Sequence, residues 1–291
     1  MSSVPQPARR AAAPDVQGLR IPERTVPLLR DLIEGHAGVR YDDDRLDLLR
    51  DRLAPLAIER GLDSLLDYYY LLRYDAGADA EWPRVMDALS VQETYFWREA
   101  DQFQALTTAI MPRLVSIGRP VRIWSVPCAT GEEPLSIAMA LEEGNWFAKA
   151  DIEIHASDAS EAALARARAA RYGRRAFRQL PQLLWDKYFV PGESGEVWTP
   201  RPELSRRVSS WGRVNLMNAL ETAAFDRSDV IFCRNVFIYF SPATVREVIT
   251  RLGAMMPTPG YLCVGAAESL LRLASRFELQ DIGGAYVYVK S

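Results

Sequence analysis

The chain has 291 residues, 48% of them apolar, enough to build one large domain, or a large and a small one, around a true core. A formal net charge of −3 excludes a general attraction to nucleic acid or to an anionic membrane, and because arginine greatly outnumbers lysine any basic patch must be local. Three cysteines, Cys128, Cys233 and Cys263, are odd in number and lie in apolar, strand-like surroundings, so they read as reduced core residues; with only His36 and His155 besides, no metal site is expected.

Residues 1–20 are rich in Pro, Ala and Arg without periodicity, which reads as a disordered tail. They lack the apolar core of a signal peptide, and no apolar run approaches the ~18 residues that a membrane span needs, so a cytoplasmic protein is expected. Residues 21–79 form the expected N-terminal helical domain, with Val26, Leu29 and Ile33, then Leu46, Leu49, Leu53 and Leu56, at three- and four-residue steps. Gly35 and Gly38 break the first helix. Asp42 to Asp44 can cap the second, Pro55 interrupts it, Gly61 ends it, and Asp63 or Ser64 can cap a third through Tyr74. The run Tyr68, Tyr69, Tyr70, set among leucines, reads mostly as core.

Residues 80–98 are the expected linker. The stretch SVQETYFWREADQF, from Ser90 to Phe103, sets Tyr95, Phe96 and Trp97 beside Thr94, Arg98 and Glu99. It is either an aromatic staple between two domains or a lid whose Thr94 and Arg98 reach into a pocket.

Residues 99–291 alternate strands with helices. After a helix from Ala100 to Leu114, Val121 to Val126 has the length and β-branched character of a buried strand. Pro127 to Gly131 is a turn of small residues, and Pro134 opens a segment whose apolar Leu135, Ala138, Met139 and Leu141 have helical spacing. A strand, a tight loop and a helix in succession bring backbone close to a ligand and leave helix-start N–H groups free. Glu132 and Glu133 at that start would repel a phosphate and favour a nucleotide with a positively charged amino-acid tail, such as S-adenosylmethionine, and the G-x-G-x-x-G pattern of dinucleotide folds is absent. Glutamates there also simply complement the helix dipole, so the pair alone does not decide.

The second strand, IEIHASD, ends on Asp158, the position that takes ribose hydroxyls in doubly wound nucleotide folds, although an aspartate there also serves as a plain helix-start residue. Ser160 caps the following helix. Its Ala- and Arg-rich run from Glu161 to Arg174 reads as a solvated face rather than a nucleic-acid patch. A Pro-, Gly- and Trp-rich stretch follows, and an inserted β-subdomain is expected at about 190–212. Strand signals resume in VSSWGRVNL, SDVIFCRN and GYLCVGAAES, and FELQDIGGAYVYVK reads as a hairpin turning at Gly283 and Gly284. The expected fold class is α/β: a Rossmann-like, mostly parallel sheet covered on both faces and given an antiparallel edge.

Three stretches, TYFWRE at Thr94, WSVPCATGEEP at Trp124 and IFCRNVFIYF at Ile231, stand in the order found in one family. Together they resemble the chemotaxis receptor glutamate methyltransferases, the CheR family, over the chain from about residue 21 onward. The resemblance implies transfer of a methyl group from S-adenosylmethionine to glutamate carboxylates on the helical cytoplasmic region of a methyl-accepting chemoreceptor. It also implies the roles of single residues. Thr94 and Arg98 match the family's cofactor contacts from the linker, Glu133 the acidic contact at the loop–helix junction, and Asp158 the ribose contact. Asn215 and Leu216 match the contacts near adenine, Arg234 and Asn235 the strand-end pair, and Tyr239 the tyrosine near the reacting methyl. Gln92 stands where the family often has Asn, keeping the amide but altering its reach. Arg98 and Tyr239 are the candidate catalytic residues.

Two departures concern docking rather than catalysis. The second N-terminal helix carries a basic face in well-known members, but here Ala54 to Ile58 reads APLAI, with only Arg50, Arg52 and Arg60 nearby. The insertion around Pro191 to Glu196 is short beside members that tether to a receptor's C-terminal peptide, so no strong tether is expected; a monomer is expected as well. A competing reading is a cofactor-sensing or scaffold protein that keeps the pocket without turnover. A small-molecule or nucleic-acid methyltransferase is disfavoured by the helical N-terminal domain and the lack of a basic surface run.

Overall fold

A computed structural model describes residues 18–271, 273 and 276–290. The expected tail 1–20 therefore lies outside the described residues except for its last three. Of these, Arg20 is not free: its N–H donates to Asp63 O at 2.9 Å, and its carbonyl accepts from Leu65 N at 2.9 Å.

The chain divides into two units, residues up to 33 with 41–89, and residues 34–40 with those from 90 onward. In the first unit the helix Leu46–Glu59 runs on through Pro55, contrary to the expected interruption. Proline removes one intrahelical hydrogen bond, but Leu49, Leu53, Ala54, Leu56 and Ala57 are buried along the helix, and that packing overrides the local preference. Ser64 caps the helix Leu65–Tyr74 through a bond from Leu66 N at 3.1 Å. Only one stripe of that helix is core: Leu65, Tyr68 and Leu72 are buried, whereas Tyr70 is half exposed, so the tyrosine run splits by helical periodicity.

The expected boundary at 79/80 falls inside a helix, Ala78–Leu89, whose Trp82, Val85, Met86 and Leu89 are buried at three- and four-residue spacing. The helix groups with the first unit, and the linker is shortened to begin at Ser90. Its Glu81 is a fully buried carboxylate, satisfied by Arg60 Nε at 2.6 Å, the Tyr68 hydroxyl at 2.9 Å and Arg84 Nη1 at 3.2 Å.

The second unit contains ten strands among the described residues: β1 (Val121–Ser125), β2 (Ile152–Asp158), β3 (Tyr172–Gly173), β4 (Phe189–Pro191), β5 (Val197–Pro200), β6 (Val208–Arg213), β7 (Val230–Phe232), β8 (Gly260–Cys263), β9 (Glu278–Ile282) and β10 (Ala285–Lys290). Seven form one sheet in the order β6-β2-β1-β7-β8-β10-β9, parallel from β6 to β8 and antiparallel at β10 and β9. Ile123 packs into one apolar cluster and Trp124 into the other, the alternation expected of a strand buried on both faces. Gly283 (φ +62°) and Gly284 (φ +91°) turn the hairpin as the sequence suggests.

The expected insertion at 190–212 needs correction. Its sheet is β3-β5-β4, built from residues 172–200, and Val208–Arg213 is instead the edge strand β6, pairing with β2. The small sheet is anchored by an aromatic cluster in which Phe177 stacks on Trp185 at 4.3 Å and meets Phe189 edge-on at 4.9 Å. β6 sits beside β2, where Ser209 Oγ accepts from Ile154 N at 3.1 Å and the Ser210 hydroxyl meets His155 Nδ1 at 2.8 Å. The three cysteines are buried and free, as expected.

Candidate active site

In this sheet β1 is the point where the order reverses, with β2 on one side and β7 on the other, and such a switch point opens a crevice beyond the carboxyl ends of the strands. The loop leaving β1 is held across it, with Val126 N donating to Phe232 O and Cys128 N to Ser157 O, each at 2.8 Å. Gly131, at φ +96°, closes the loop; a Cβ there would lie 3.0 Å from Trp211 and from the Tyr172 hydroxyl, so both conformation and space require glycine. The helix Glu132–Glu143 follows at once.

The carboxylate of Asp158, at the end of β2, is buried and accepts from Ala129 N at 2.8 Å and from Ser160 N at 2.9 Å. It fixes both the loop after β1 and the start of the next helix. Glu133 faces the crevice, its Oε1 accepting from Ser125 Oγ at 2.6 Å and its Oε2 lying 3.4 Å from Arg234 Nη1. Burial pushes its carboxyl above the ordinary value, while the Arg234 charge and the Ser125 hydrogen bond oppose the rise.

Arg234 is the buried cation of the site, its side chain only 2% exposed. Nη2 donates to Arg98 O at 2.6 Å, and Glu99 lies 3.4 Å away, yet Nε and Nη1 make no hydrogen bond among the described residues. A buried guanidinium with unmade hydrogen bonds is destabilising unless something arrives to accept them. Thr94, Arg98, Glu133, Arg234 and Asn235 share the lining of one cleft with Tyr95. Backbone strain concentrates around it: Trp97 (φ +66°), Glu99 (φ +58°), Ala129 (φ +46°) and Asn235 (φ +60°) all adopt the left-handed conformation without being glycine. Strain of this kind persists where surrounding contacts dictate it, and it clusters at functional sites.

At Asn235 the dictating contact comes from Glu268, a residue that sequence reasoning missed. Its buried carboxylate accepts from Asn235 N, Gly265 N and Phe237 N, each at 2.7 Å, and from Ile238 N at 3.4 Å. One side chain thereby clamps the segment after β7 to the segment after β8. An acid inside the apolar run GYLCVGAAES was the available signal. Tyr95 was also missed as a cleft residue; the Arg98 guanidinium lies 5.4 Å from its ring centre.

Not every expected site residue joins this cleft. Gln92 accepts from Arg166 Nη1 at 2.7 Å and lines a neighbouring groove. Asn215 directs its side chain to the protein, donating to His36 O at 2.7 Å and accepting from Met217 N at 2.9 Å. Leu216 is buried in the apolar cluster with Val214 and Phe237. Tyr239 is partly buried on the turn Phe237–Tyr239; its carbonyl accepts from Arg40 N at 2.8 Å, and its ring is not part of the cleft lining. Among the described residues no cluster of His, Cys, Asp and Glu could hold a metal ion.

Residues 92–283 match the family description "CheR methyltransferase, SAM binding domain", and residues 26–90 match "CheR methyltransferase, all-alpha domain". The chain belongs to the CheR methyltransferase family. Over 90% of its length it is 30% identical to Chemotaxis protein methyltransferase 1 of Pseudomonas aeruginosa, covering 96% of that protein. It is 31% identical to Chemotaxis protein methyltransferase 2 of Vibrio cholerae, covering 90% of this chain and 91% of that one. It is also 33% identical over 80% of its length to the probable biofilm formation methyltransferase WspC of Pseudomonas putida, of which it spans 54%.

This CheR chain takes S-adenosylmethionine as its cofactor, and the cleft suits that molecule. Arg234 has two buried nitrogens, Nε and Nη1, without a hydrogen bond among the described residues, and the carboxylates beside it, Glu133 in the cleft lining and Glu99 behind it, suit an ammonium or sulfonium and would repel a diphosphate. No helix among the described residues is long and apolar enough to cross a membrane.

Proposed function

We propose that this CheR chain methylates glutamate side chains in the helical cytoplasmic region of a methyl-accepting chemoreceptor, working in the cytoplasm as a monomer without a receptor-peptide tether. The observation that carries the reading is the buried Arg234 guanidinium, with hydrogen-bonding capacity to spare, between Glu99 and Glu133 in a chain of this family. S-adenosylmethionine, when bound, would supply an electrophilic methyl group: a glutamate oxygen would form the new C–O bond as the S–CH3 bond breaks, with S-adenosylhomocysteine, a thioether, as the leaving group.

A free glutamate ionises at about pH 4.3 and is already a nucleophile near neutrality, so the chain needs no general base. Its task is alignment. Glu133 and Arg234 hold the amino-acid end of the cofactor, Asn235 and Thr94 shape the cleft beside it, and Asp158 fixes the loop that faces the ribose. Arg98, next to Tyr95 at the cleft wall, pairs with a carboxylate, either the incoming glutamate's or the cofactor's, and offsets part of its desolvation. Tyr239 is given a place near the reacting methyl by the family resemblance alone, its ring lying outside this cleft's lining. Positioning of this kind lowers a barrier by about 7–11 kcal/mol when the reacting atoms are held at near-attack distance.

The test is to incubate the chain with methyl-labelled S-adenosylmethionine and a purified receptor cytoplasmic domain. Base-labile label on receptor glutamates is expected; label that resists base, or none on any receptor from the same organism, would reject the assignment.

A further inference from the structure

The stretch 161–180 carries six arginines and one acid, Glu161, a net +5 in a chain whose total is −3; the remainder is therefore −8. By sequence alone this run reads as an ordinary solvated face. In the structure four of its arginines, Arg166, Arg171, Arg175 and Arg178, line a groove beside the cofactor cleft, Arg174 lies in the chain between Gly173 and Arg175 of that lining, and Glu93 and Thr94 line both groove and cleft. Arg178 links the two, with its guanidinium 3.6 Å from the Tyr95 ring centre, the same ring that Arg98 approaches from the cleft, while it donates to Glu93 at 2.8 Å. Arg171 and Arg174 are exposed and have no hydrogen-bond or ion-pair partner among the described residues, and the side chain of Arg175 is 79% exposed with only a long 3.5 Å ion pair to Glu93. Three arginines of the helical unit, Arg50, Arg52 and Arg60, are in a different condition. Arg50 is tied to Asp47 and Asp51, Arg52 to Ala88 O and Arg60 to Glu81.

We propose that this groove docks an acidic helical segment of the acceptor protein, whose glutamates pair with Arg171, Arg174 and Arg175 while a neighbouring glutamate enters the cleft past Thr94 and Arg98. The proposal rests on the methyl-transfer reading above. An α-helix places side chains three and four apart on one face, so a helix bearing several glutamates presents one carboxylate for reaction and others for docking at the same time. Exposed guanidinium groups suit carboxylates through paired N–H donors. Glu93 and Glu132 interrupt the positive rim, which opposes the continuous charge of a nucleic-acid backbone.

The experiment uses the full chain saturated with S-adenosylhomocysteine and a labelled alanine-based helix with glutamates along one face, beside the same helix with glutamines and a single-stranded RNA. Exposed ion pairs of this kind predict that Arg171→Ser with Arg174→Ser weakens binding of the glutamate helix about tenfold and flattens its salt dependence. The glutamine helix should bind neither protein, and affinity for S-adenosylhomocysteine should stay unchanged, showing an intact fold. In receptor methylation the same variant raises KM for the receptor and leaves kcat in place. Unaltered affinity for the glutamate helix, or RNA binding tighter than that helix, overturns the proposal. Wild-type protein that binds the helix as stated but methylates no receptor would reject the function and leave the surface standing.

Discussion

Replacing Glu268 by glutamine keeps the shape of the side chain and removes only its charge and one acceptor, which makes it a sharp probe of how the cleft is held. The carboxylate accepts from four backbone N–H groups, two on each oxygen. An amide has one oxygen, so whichever way the substituted side chain turns, its NH2 faces two of those donors. Each orphaned buried donor costs about 1–3 kcal/mol, and partial relaxation puts the expected loss near 3 kcal/mol. For a domain of this size that is a fall in Tm of roughly 6–12 °C. The released segment carries Arg234, Asn235 and the turn Phe237–Tyr239, so affinity for S-adenosylhomocysteine should fall as well. Gly265 reinforces the effect, since a Cβ there would lie 2.4 Å from Asn235 Nδ2 and the two segments are already in close contact. Calorimetric unfolding and isothermal titration read the two quantities. A variant that melts within 2 °C of the parent, by the ~2–4 °C per kcal/mol scale, and binds the product equally well would show that Glu268 does not hold the cleft.

Gly131→Ala places a side chain at φ +96° against Trp211 and Tyr172, and a loss of about 2 kcal/mol is expected from strained backbone alone; circular-dichroism melting together with product titration should show both stability and affinity reduced. In the helical unit, burial pushes the Glu81 carboxyl up, but the hydrogen bonds from Arg60 and Tyr68 and the charges of Arg84 and Arg60 outweigh it and hold the group below its ordinary value. The folded state then binds the proton less readily than the unfolded chain, whose glutamates titrate near pH 4.3. The resulting stability is present above that pH and is lost as pH falls through the lower folded value. Urea midpoints measured between pH 7 and pH 3 should drop steeply at the acid end in the parent and less so in Glu81→Gln.

How far the sequence reached depends on whether the relevant chemistry is local. The strand, small-residue turn and helix from Val121 to Glu143 were legible because each element has its own short-range signature, and the cleft forms where such a junction predicts it. Asp158 stands out by its place after β2, although sequence position does not show that both of its oxygens hold backbone. Glu268 was invisible because its meaning lies 33 residues away, at Asn235 N. The β-subdomain was misplaced for a related reason: VSSWGR looks like a strand by composition, and only its non-local pairing with β2 assigns it to the large sheet. Pro55 reads as an interruption because the local rule is strong, whereas the buried leucines around it are a tertiary effect. Arg166, Arg171, Arg175 and Arg178 read as plain solvated charge until the fold places them along the groove next to the cleft.

The central claim is that Arg234, held between Glu99 and Glu133, receives the amino-acid end of S-adenosylmethionine. Titration of S-adenosylhomocysteine into the parent chain and into Arg234→Met by calorimetry tests it most directly. One saturable site in the parent and none in the variant, with both proteins folded, is the result predicted. A parent that gives no heat, or a variant that binds as well as the parent, would contradict it.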